Sequence, residues 1–219
     1  MTPRRLARMR GTLSRRQPDL TVVIENVHDP HNVSAMLRTC DAVGAASAHL
    51  VYDEIEAPII HLGVSASAQR WLELVQHEAI VDCYEALRKR GFAIYATTLG
   101  DASRELFELD LTQPTAFVFG NETRGVSASA SEGADASVFI PMMGMVESLN
   151  VSVACAVSLY EALRQRRAAG RYDRSSYPPA ELDTRLRDWL EREGRNPAVL
   201  ETPPVDETPK ARSRYIHRP

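Results

Sequence analysis

The sequence predicts an α/β fold in which helices cover both faces of a parallel sheet. Short apolar runs rich in β-branched and aromatic residues alternate along the chain with segments of helical periodicity. The runs are continuous rather than alternating, as expected for strands that are buried on both faces. With 219 residues, 44% of them hydrophobic, the chain can form one domain with a full core.

The predicted strands follow these apolar runs in chain order. They cover residues 21–25, 47–52, 92–97, 115–119 and 137–140, and residues 71–75 form a possible further strand. Ligands of such sheets bind at the carboxyl ends of the strands. The loops after Glu25, Thr97, Phe119 and Ile140 are therefore the candidate site loops.

Helix limits are predicted from capping residues. Asp29 and Pro30 are suited to cap and begin a helix, and Gly44 is suited to end it. Further helices are predicted over residues 84–90, 151–167 and 176–195. The helix at 151–167 is apolar nearly all round at its start, which predicts that this end is buried.

The first residues combine helical periodicity with positive charge. Leu6, Met9 and Leu13 lie at helical spacing, and arginines surround them, which predicts an amphipathic helix with a basic face. We interpret the chain as three parts. These are a basic helix at 1–18, a main domain at 19–168, and a C-terminal helix with a disordered tail at 169–219.

The net charge of −3 hides an uneven distribution. Residues 1–16 carry six arginines and no acidic residue, residues 17–163 carry 7 basic and 20 acidic residues, and residues 164–219 carry 13 basic and 9 acidic residues. Basic ends around an acidic centre indicate contact between the ends and a polyanion. A genomic nucleotide bias would also enrich arginine, so the charge alone leaves the ligand open.

No segment indicates export or membrane insertion. The N-terminal segment lacks the apolar stretch of a secretory signal, and no run of about 18 apolar residues is present. An arginine-rich start is also typical of transit peptides, but this one leads straight into the first predicted strand. Cys40, Cys83 and Cys155 are scattered and odd in number, which fits a reducing compartment. We therefore expect a cytoplasmic protein.

Several familiar site motifs are absent. The sequence has no G-x-G-x-x-G loop, and Val126 stands where a P-loop carries lysine. His28 and His31 have no visible third ligand, so we expect no metal. Ser148 and Ser152 lack the G-x-S-x-G context of a nucleophilic serine.

Three segments differ from ordinary core. Residues 25–45 place polar side chains after the first strand and set Arg38 among apolar helix positions, where a cation needs an anionic partner. Residues 117–127 open from a strand into a glycine-rich loop, and residues 140–166 combine a methionine- and glycine-containing loop with a helix start. Each segment has a simpler explanation. Arg38 could form a salt bridge with a neighbouring acidic residue, and residues 117–127 could be an ordinary loop. In residues 140–166 the methionines could fill the core, and Ser148 could cap a helix.

Together, in this order and spacing, the three segments resemble the motifs of the SPOUT superfamily, and within it the TrmH family of RNA ribose methyltransferases. The resemblance covers about residues 1–170. It rests on NVHDPHNVSAMLRTCDAVG, ATTLGD and IPMMGMVESLNVSVACAVSLYEA, and on RRQPDLTV near the N-terminus. These stretches look closest to the members that methylate the ribose of guanosine 18 in tRNA.

The resemblance implies a deep C-terminal trefoil knot and a homodimer formed through the knotted face. It implies S-adenosylmethionine as methyl donor, held among three loops by Thr97, Leu99, Gly100, Gly120, Asn121, Gly125, Ile140, Met142, Ser148 and Leu149. It also implies a catalytic group made of Asn32, Arg38, Glu122, Ser148 and Asn150. Because a guanidinium stays protonated in proteins, we interpret Arg38 as a clamp on phosphate and developing alkoxide rather than as a base.

The resemblance further implies that RNA contacts the basic ends of the chain. The residues concerned are Arg4, Arg5, Arg8, Arg15, Arg16, Arg166 and Arg167. Phosphate contacts of this kind give salt-sensitive affinity rather than sequence choice. We expect tRNA as the substrate, because the N-terminal RNA-binding domain that is common in ribosomal members is missing.

Three alternatives stay open. The chain could be a ribosomal RNA methyltransferase of the same family, an RNA-binding module without catalysis, or a flavodoxin-type nucleotide-binding protein. The presence of Asn32, Arg38, Glu122 and Asn150 argues against the second. The third leaves the segment 140–150 unexplained.

Overall fold

The computed structural model describes residues 1–57, 70–100 and 103–200. Its strands, numbered in chain order, are β1 (Leu20–Glu25), β2 (Ser47–Val51), β3 (Glu73–His77), β4 (Ala93–Thr97), β5 (Arg104–Glu105), β6 (Thr115–Phe119) and β7 (Ala136–Phe139). They form one sheet in the order β3-β2-β1-β6-β4-β7-β5. Each pairing between these strands is parallel, which confirms the predicted α/β class.

The helices are α1 (Pro3–Leu13), α2 (Pro30–Val43), α3 (Ile80–Lys89), α4 (Ala128–Gly133), α5 (Val151–Ala168) and α6 (Pro179–Arg192). Short 3-10 helices lie at Leu106–Glu108 and Pro197–Leu200. The predicted caps of α2 are confirmed, because the Asp29 side chain accepts from the His31 backbone and Gly44 adopts φ 87°. Across the described residues, no helix combines the length and the apolar character needed to cross a bilayer.

Helices cover both faces of the sheet. On β1, Leu20, Val22 and Ile24 belong to the core beneath α2 and α5, whereas Val23 belongs to the core beneath α3 and α4. Successive residues of a strand point to opposite faces, so one continuous apolar run serves both cores.

The structure differs from the prediction at the β3 edge. Residues 71–75 were a possible strand, but β3 begins at Glu73. Leu72 is buried in the core, and the Trp71 ring lies 5.0 Å from that of Trp189. The apolar residues before β3 therefore pack against the core and against α6. Sequence reasoning also missed β5 and α4, which are too short to show a period.

The start of α5 is less buried than predicted. Val153 is 46% exposed and Tyr160 is 52% exposed, although Cys155 and Leu159 are buried in the core. The apolar character all round this helix end is therefore not explained by packing within one chain.

The first and last described helices pack together beside the sheet. Met9 and Leu13 of α1 share a buried cluster with four residues from the C-terminal part, Tyr177, Leu186, Trp189 and Leu190. The division of the chain into three parts stays a prediction. The predicted disordered tail falls mainly on residues 201–219, which lie outside the described residues.

Two buried arginines connect segments that are distant in the sequence. Arg166 of α5 is 0% exposed, donates to the Asp19 carboxylate at 2.5 Å, and also donates to three backbone carbonyls. Arg16 is 1% exposed, forms an ion pair with Asp41, and lies 5.2 Å from the ring centroid of Trp189. A buried cation is tolerated when it is paired, so each arginine fixes the segments that surround it, although Nε of Arg16 has no partner among the described residues.

Replacing Arg166 with alanine should destabilise the fold strongly. The change removes a fully buried side chain and its hydrogen bonds to Asp19, Leu111 and Gln113. Because Arg171 still pairs with Asp19, we expect a cost of about 3 kcal/mol, the lower end for a broken buried pair. The neighbouring Arg167 is exposed, so Arg167→Ala should change the free energy of unfolding by less than about 0.5 kcal/mol. Urea unfolding of the two variants checks this, and equal losses would contradict it.

Candidate active site

A cleft of about 750 Å³ opens at the carboxyl ends of β4, β6 and β7. These strands are neighbours in the sheet, so the loops that follow them lie side by side. Residues 97–99, 119–128 and 138–151 form most of its lining, and α5 contributes Ala154 and Ser158. The volume is within the range of about 300–1,000 Å³ that is typical of small-molecule sites.

The loop after β6 turns back on itself tightly. Gly125 donates its backbone N–H to the Asn121 carbonyl at 2.8 Å and adopts φ 70°. A Cβ at Gly120 would overlap the Gly125 carbonyl and the Val126 nitrogen, so this position accepts only glycine. The two glycines thus allow the two ends of the loop to approach each other closely. At Gly120 the wall of the cleft consists of main-chain atoms.

Both ends of this loop are bound to the end of β1. The Glu25 carboxylate is 1% exposed and accepts from the Ser127 backbone at 2.9 Å and from its hydroxyl at 2.6 Å. Asn121 donates to the Asn26 carbonyl at 2.8 Å. Asn26 itself adopts φ 51° and donates to Asp53. Sequence reasoning missed Glu25 and Ser127, although an acidic residue that closes an apolar strand is a detectable signal.

A chain of hydrogen bonds joins three of the predicted catalytic residues. The Glu122 carboxylate accepts from the Asn32 amide at 3.0 Å, and the Asn32 side-chain oxygen accepts from Asn150 at 3.1 Å. The Asn150 side chain in turn caps α5 by accepting from Ser152. The plain alternative that Ser148 caps this helix is therefore wrong. These hydrogen bonds fix the orientation of the Asn32 and Asn150 side-chain amides.

Glu122 is held in its charged form. Partial burial raises the pKa of its carboxyl, but hydrogen bonds from Asn32 and from the backbone of His28 and Asp29 outweigh burial, so the pKa lies below its ordinary value. A carboxylate with a lowered pKa is a weak base at neutral pH. Its geometry suits it to anchor Asn32.

A second cavity of about 550 Å³ adjoins the cleft. Residues 121–124 line both spaces, and His28, Asp29 and Asn32 complete the lining of the smaller one. The polar chain from Glu122 to Asn150 therefore lies at the boundary between two spaces. Such an arrangement can hold two molecules next to each other.

Most residues of the predicted cofactor set line the cleft. They are Thr97, Leu99, Gly120, Asn121, Gly125, Ile140, Met142, Ser148 and Leu149. Gly100 does not line it, because the chain leaves the cleft after Leu99. Their roles stay predictions, but the structure brings them to one place from three loops.

Arg38 stands apart from the other predicted catalytic residues. It lies on the exposed side of α2 and lines neither cavity. Asn32 is on the same helix but six residues earlier, so the two side chains lie on different sides of the helix.

The predicted RNA-contacting arginines fall into two groups. Five are exposed, namely Arg4, Arg5, Arg8, Arg15 and Arg167. Arg16 and Arg166 are buried and bind Asp41 and Asp19, so they are not available to a phosphate in this structure. We remove these two from the set, because the charge pattern could not distinguish a surface arginine from a buried ion pair.

A patch of exposed apolar side chains lies beside the cleft. Met143 is 95% exposed and Met145 is 98% exposed, and Val146 follows them in the same loop. Val153 and Tyr160, seven residues apart on α5, extend the patch. The alternative that these methionines fill the core of the chain is wrong. Exposed apolar patches of this kind are typical of interaction surfaces.

Comparison with known proteins identifies the family. Residues 19–160 match the model of the SpoU rRNA Methylase family, and the chain belongs to this family. A tRNA (guanosine(18)-2'-O)-methyltransferase of Thermus thermophilus is 48% identical over 191 residues, which cover 87% of this chain and 98% of that protein.

Solved structures agree with this assignment. A TrmH/SpoU tRNA modifying enzyme of A. aeolicus superposes with a TM-score of 0.82 at 40% identity, covering 87% of this chain and 96% of that one. The SpoU methyltransferase AviRb of Streptomyces viridochromogenes, in complex with the cofactor AdoMet, gives a TM-score of 0.62 at 30% identity and covers 70% and 62% of the two chains. The predicted family is thereby confirmed, while the knot stays a prediction.

Replacing Glu122 with glutamine should destabilise the protein in a pH-dependent manner. The folded protein lowers the pKa of this carboxyl, so the carboxylate contributes stability above its ordinary value of 4.5 and loses that contribution as pH falls through the folded pKa. The difference in Tm between wild type and Glu122→Gln should therefore shrink as pH decreases below 4.5. Thermal melts from neutral pH downward check this. Glu132→Gln, at an exposed position of α4, is the control for loss of one charge. A difference in Tm between wild type and Glu122→Gln that does not change with pH would contradict the expectation.

Proposed function

We propose that this protein transfers a methyl group from S-adenosylmethionine to the ribose 2'-hydroxyl of guanosine 18 in tRNA. The observation that carries the proposal is the match along 98% of the length of a tRNA (guanosine(18)-2'-O)-methyltransferase at 48% identity. The match covers 191 residues, so it is longer than the segment 19–160 that the family model matches and extends into the terminal parts of the chain.

The cleft suits S-adenosylmethionine. Its volume accommodates a nucleoside-sized ligand, and its wall after β6 is main chain because Gly120 leaves no side chain there. Backbone N–H and C=O groups of residues 97–99, 120–125 and 140–149 can bind the adenine and ribose. We assign to this role the predicted residues that line the cleft, and we leave Gly100 out.

The smaller cavity suits the target nucleotide. It shares Glu122 with the cleft and adds His28, Asp29 and Asn32, so a ribose there lies beside the methyl donor. Glu122 acts as a positioning residue, since its bonds to Asn32 and to the His28 and Asp29 backbone shape this wall. Asn150 lines the cleft and holds Asn32 by donating to its side-chain oxygen.

The bound cofactor supplies a methyl group on a positively charged sulfonium. The residues around it must orient the 2'-hydroxyl, exclude water and accommodate the charge that develops as the hydroxyl loses its proton. The Glu122 carboxylate is a poor proton acceptor because its pKa is lowered. We assign to Arg38 the stabilisation of the alkoxide and of an RNA phosphate, with phosphate or water as the final proton acceptor.

Binding of tRNA is assigned to the exposed arginines of α1 and of the end of α5. Arg4, Arg8 and Arg15 are exposed, as is Arg167. The apolar side of α1 is occupied by α6, so the basic side remains for phosphate. Ribosomal RNA is the second candidate substrate because the matching family model is named for it.

A homodimer is proposed through the apolar patch of Met143, Met145, Val146, Val153 and Tyr160. This surface adjoins the cleft, so a second copy would cover residues that one chain leaves in water. We propose a cytoplasmic location because tRNA is found there and all three cysteines are free.

Methyl transfer to tRNA tests the proposed function. Wild-type protein should transfer label from S-adenosylmethionine to an unmodified tRNA transcript, and not to the same transcript with 2'-deoxyguanosine at position 18. The Arg38→Lys variant should bind the cofactor normally but lose about 10²- to 10³-fold in turnover, as expected for removal of a group that stabilises charge in the transition state.

Three results would contradict this proposal. Equal labelling of both transcripts would place the methyl group elsewhere. Labelling of ribosomal RNA alone would favour the second candidate. Cofactor binding without transfer to either RNA would indicate a binding module.

Replacing Gly120 with alanine should weaken binding of S-adenosylmethionine. The added Cβ of Gly120→Ala overlaps the Gly125–Val126 peptide, so the loop must move, and the affinity for the cofactor should fall by roughly 10-fold or more because its backbone groups are displaced. Gly11→Ala is the matched control, because nothing lies within 4 Å of its added Cβ. Calorimetric titration with S-adenosylmethionine checks both. Unchanged affinity in Gly120→Ala would show that the loop wall does not hold the cofactor.

A further inference from the structure

A group of metal-ligating side chains lies on the other half of the sheet, away from the cleft. His49 of β2, His77 of β3 and Cys83 of α3 each place one ligand atom within 4.8 Å of the other two. Nδ1 of His49 lies 2.8 Å from Nε2 of His77. Across residues 1–57, 70–100 and 103–200, this is the one group of its kind.

Hydrogen bonding alone does not account for His49. The residue is 2% exposed, and its Nε2 is buried without a hydrogen-bond partner among the described residues. The two rings share one proton between Nδ1 of His49 and Nε2 of His77, whichever ring carries it. The other nitrogen of His49 stays unsatisfied in both tautomers, and burial of such a group costs free energy. Nε2 is not the atom that meets His77, so a ligand shared by the three side chains would bind Nδ1 of His49 and leave Nε2 unpaired.

We propose that His49, His77 and Cys83 bind one divalent transition-metal ion of the zinc class. Two imidazole nitrogens and a thiolate are ligands that zinc prefers, whereas magnesium and calcium prefer oxygen. Tetrahedral zinc holds its ligand atoms about 3.3–3.8 Å apart, so the two histidine nitrogens need to separate by about 0.5 Å. On binding, the Cys83 thiol releases its proton to solvent and becomes the thiolate ligand.

The ion would fasten the edge of the sheet. β3 is the edge strand, and its side chains are exposed or half-buried, so it has little core to hold it. The three ligands come from β2, β3 and α3, so one ion would connect all three elements. His77 is half-buried, which leaves room for water as a fourth ligand.

No sequence pattern indicates this site. The ligands are separated by 28 and 6 residues and belong to no C-x-x-C or H-x-x-x-H pattern. The expectation of no metal considered only His28 and His31, and the present site involves neither.

Titration of the full-length protein with metal tests the proposal. After treatment with a chelator, the protein is titrated with Zn²⁺ against a chromophoric competitor, and separately with Co²⁺. Wild type should bind one equivalent of Zn²⁺, show a thiolate-to-cobalt charge-transfer band, and gain Tm with Zn²⁺.

Two variants and a control identify the ligands. Loss of a group that only hydrogen-bonds to a metal ligand typically lowers metal affinity about 10- to 100-fold. Loss of the His77 ligand itself in His77→Gln should therefore lower the affinity for Zn²⁺ by at least that factor. Cys83→Ser should lose the charge-transfer band. His77 is half-buried, so His77→Gln carries the test if Cys83→Ser does not fold. His31→Gln, on the exposed side of α2, should behave as wild type. Absence of stoichiometric binding, or equal binding by wild type and His77→Gln, would overturn the proposal.

Discussion

The position of β6 between β1 and β4 is the constraint on which the site depends. Leu20 to Ile24 of β1 pair in register with Thr115 to Phe119 of β6, and β4 pairs with β6 on its other side. All five residues of β6 are buried, so the register is fixed by packing on both faces. Gly120 follows the last of them directly. A slip of two residues would move the glycine loop by about 6.6 Å along the strand, out of reach of the β1 end.

Polar contacts then convert this register into a fixed cavity wall. Glu25 and Asn26, at the end of β1, bind both ends of the glycine loop. Glu122, inside that loop, binds Asn32, which binds Asn150 at the start of α5. Three elements distant in sequence are thus held by a few side chains. Anchoring of Glu122 by several donors also explains why its charge is stabilised and why it suits positioning better than proton transfer.

The two halves of the sheet differ in what surrounds them. On the β6–β4–β7 half, loops form a cleft, and a patch of exposed methionines and α5 side chains remains for a partner. On the β2–β3 half, a weakly buried edge strand lies beside a histidine whose buried nitrogen has no partner among the described residues. The first place leaves apolar area in water, and the second brings three metal-ligating atoms together. Such places are where a ligand or second molecule gains free energy by binding.

The sequence by itself determined five of the strands, the main helices, the caps of α2 and the family. These depend on local periods, on capping residues such as Asp29 and Gly44, and on three motif segments, all of which can be detected within a short window. Only the tertiary structure decided which arginines are exposed, because Arg4 and Arg16 look alike in a basic segment while Asp41 lies 25 residues from Arg16. It likewise decided that Asn32 meets Glu122 and that His49 meets His77 and Cys83. The reason is physical: contacts between residues far apart in the chain follow from strand order and packing, and neither leaves a periodic signal in the sequence.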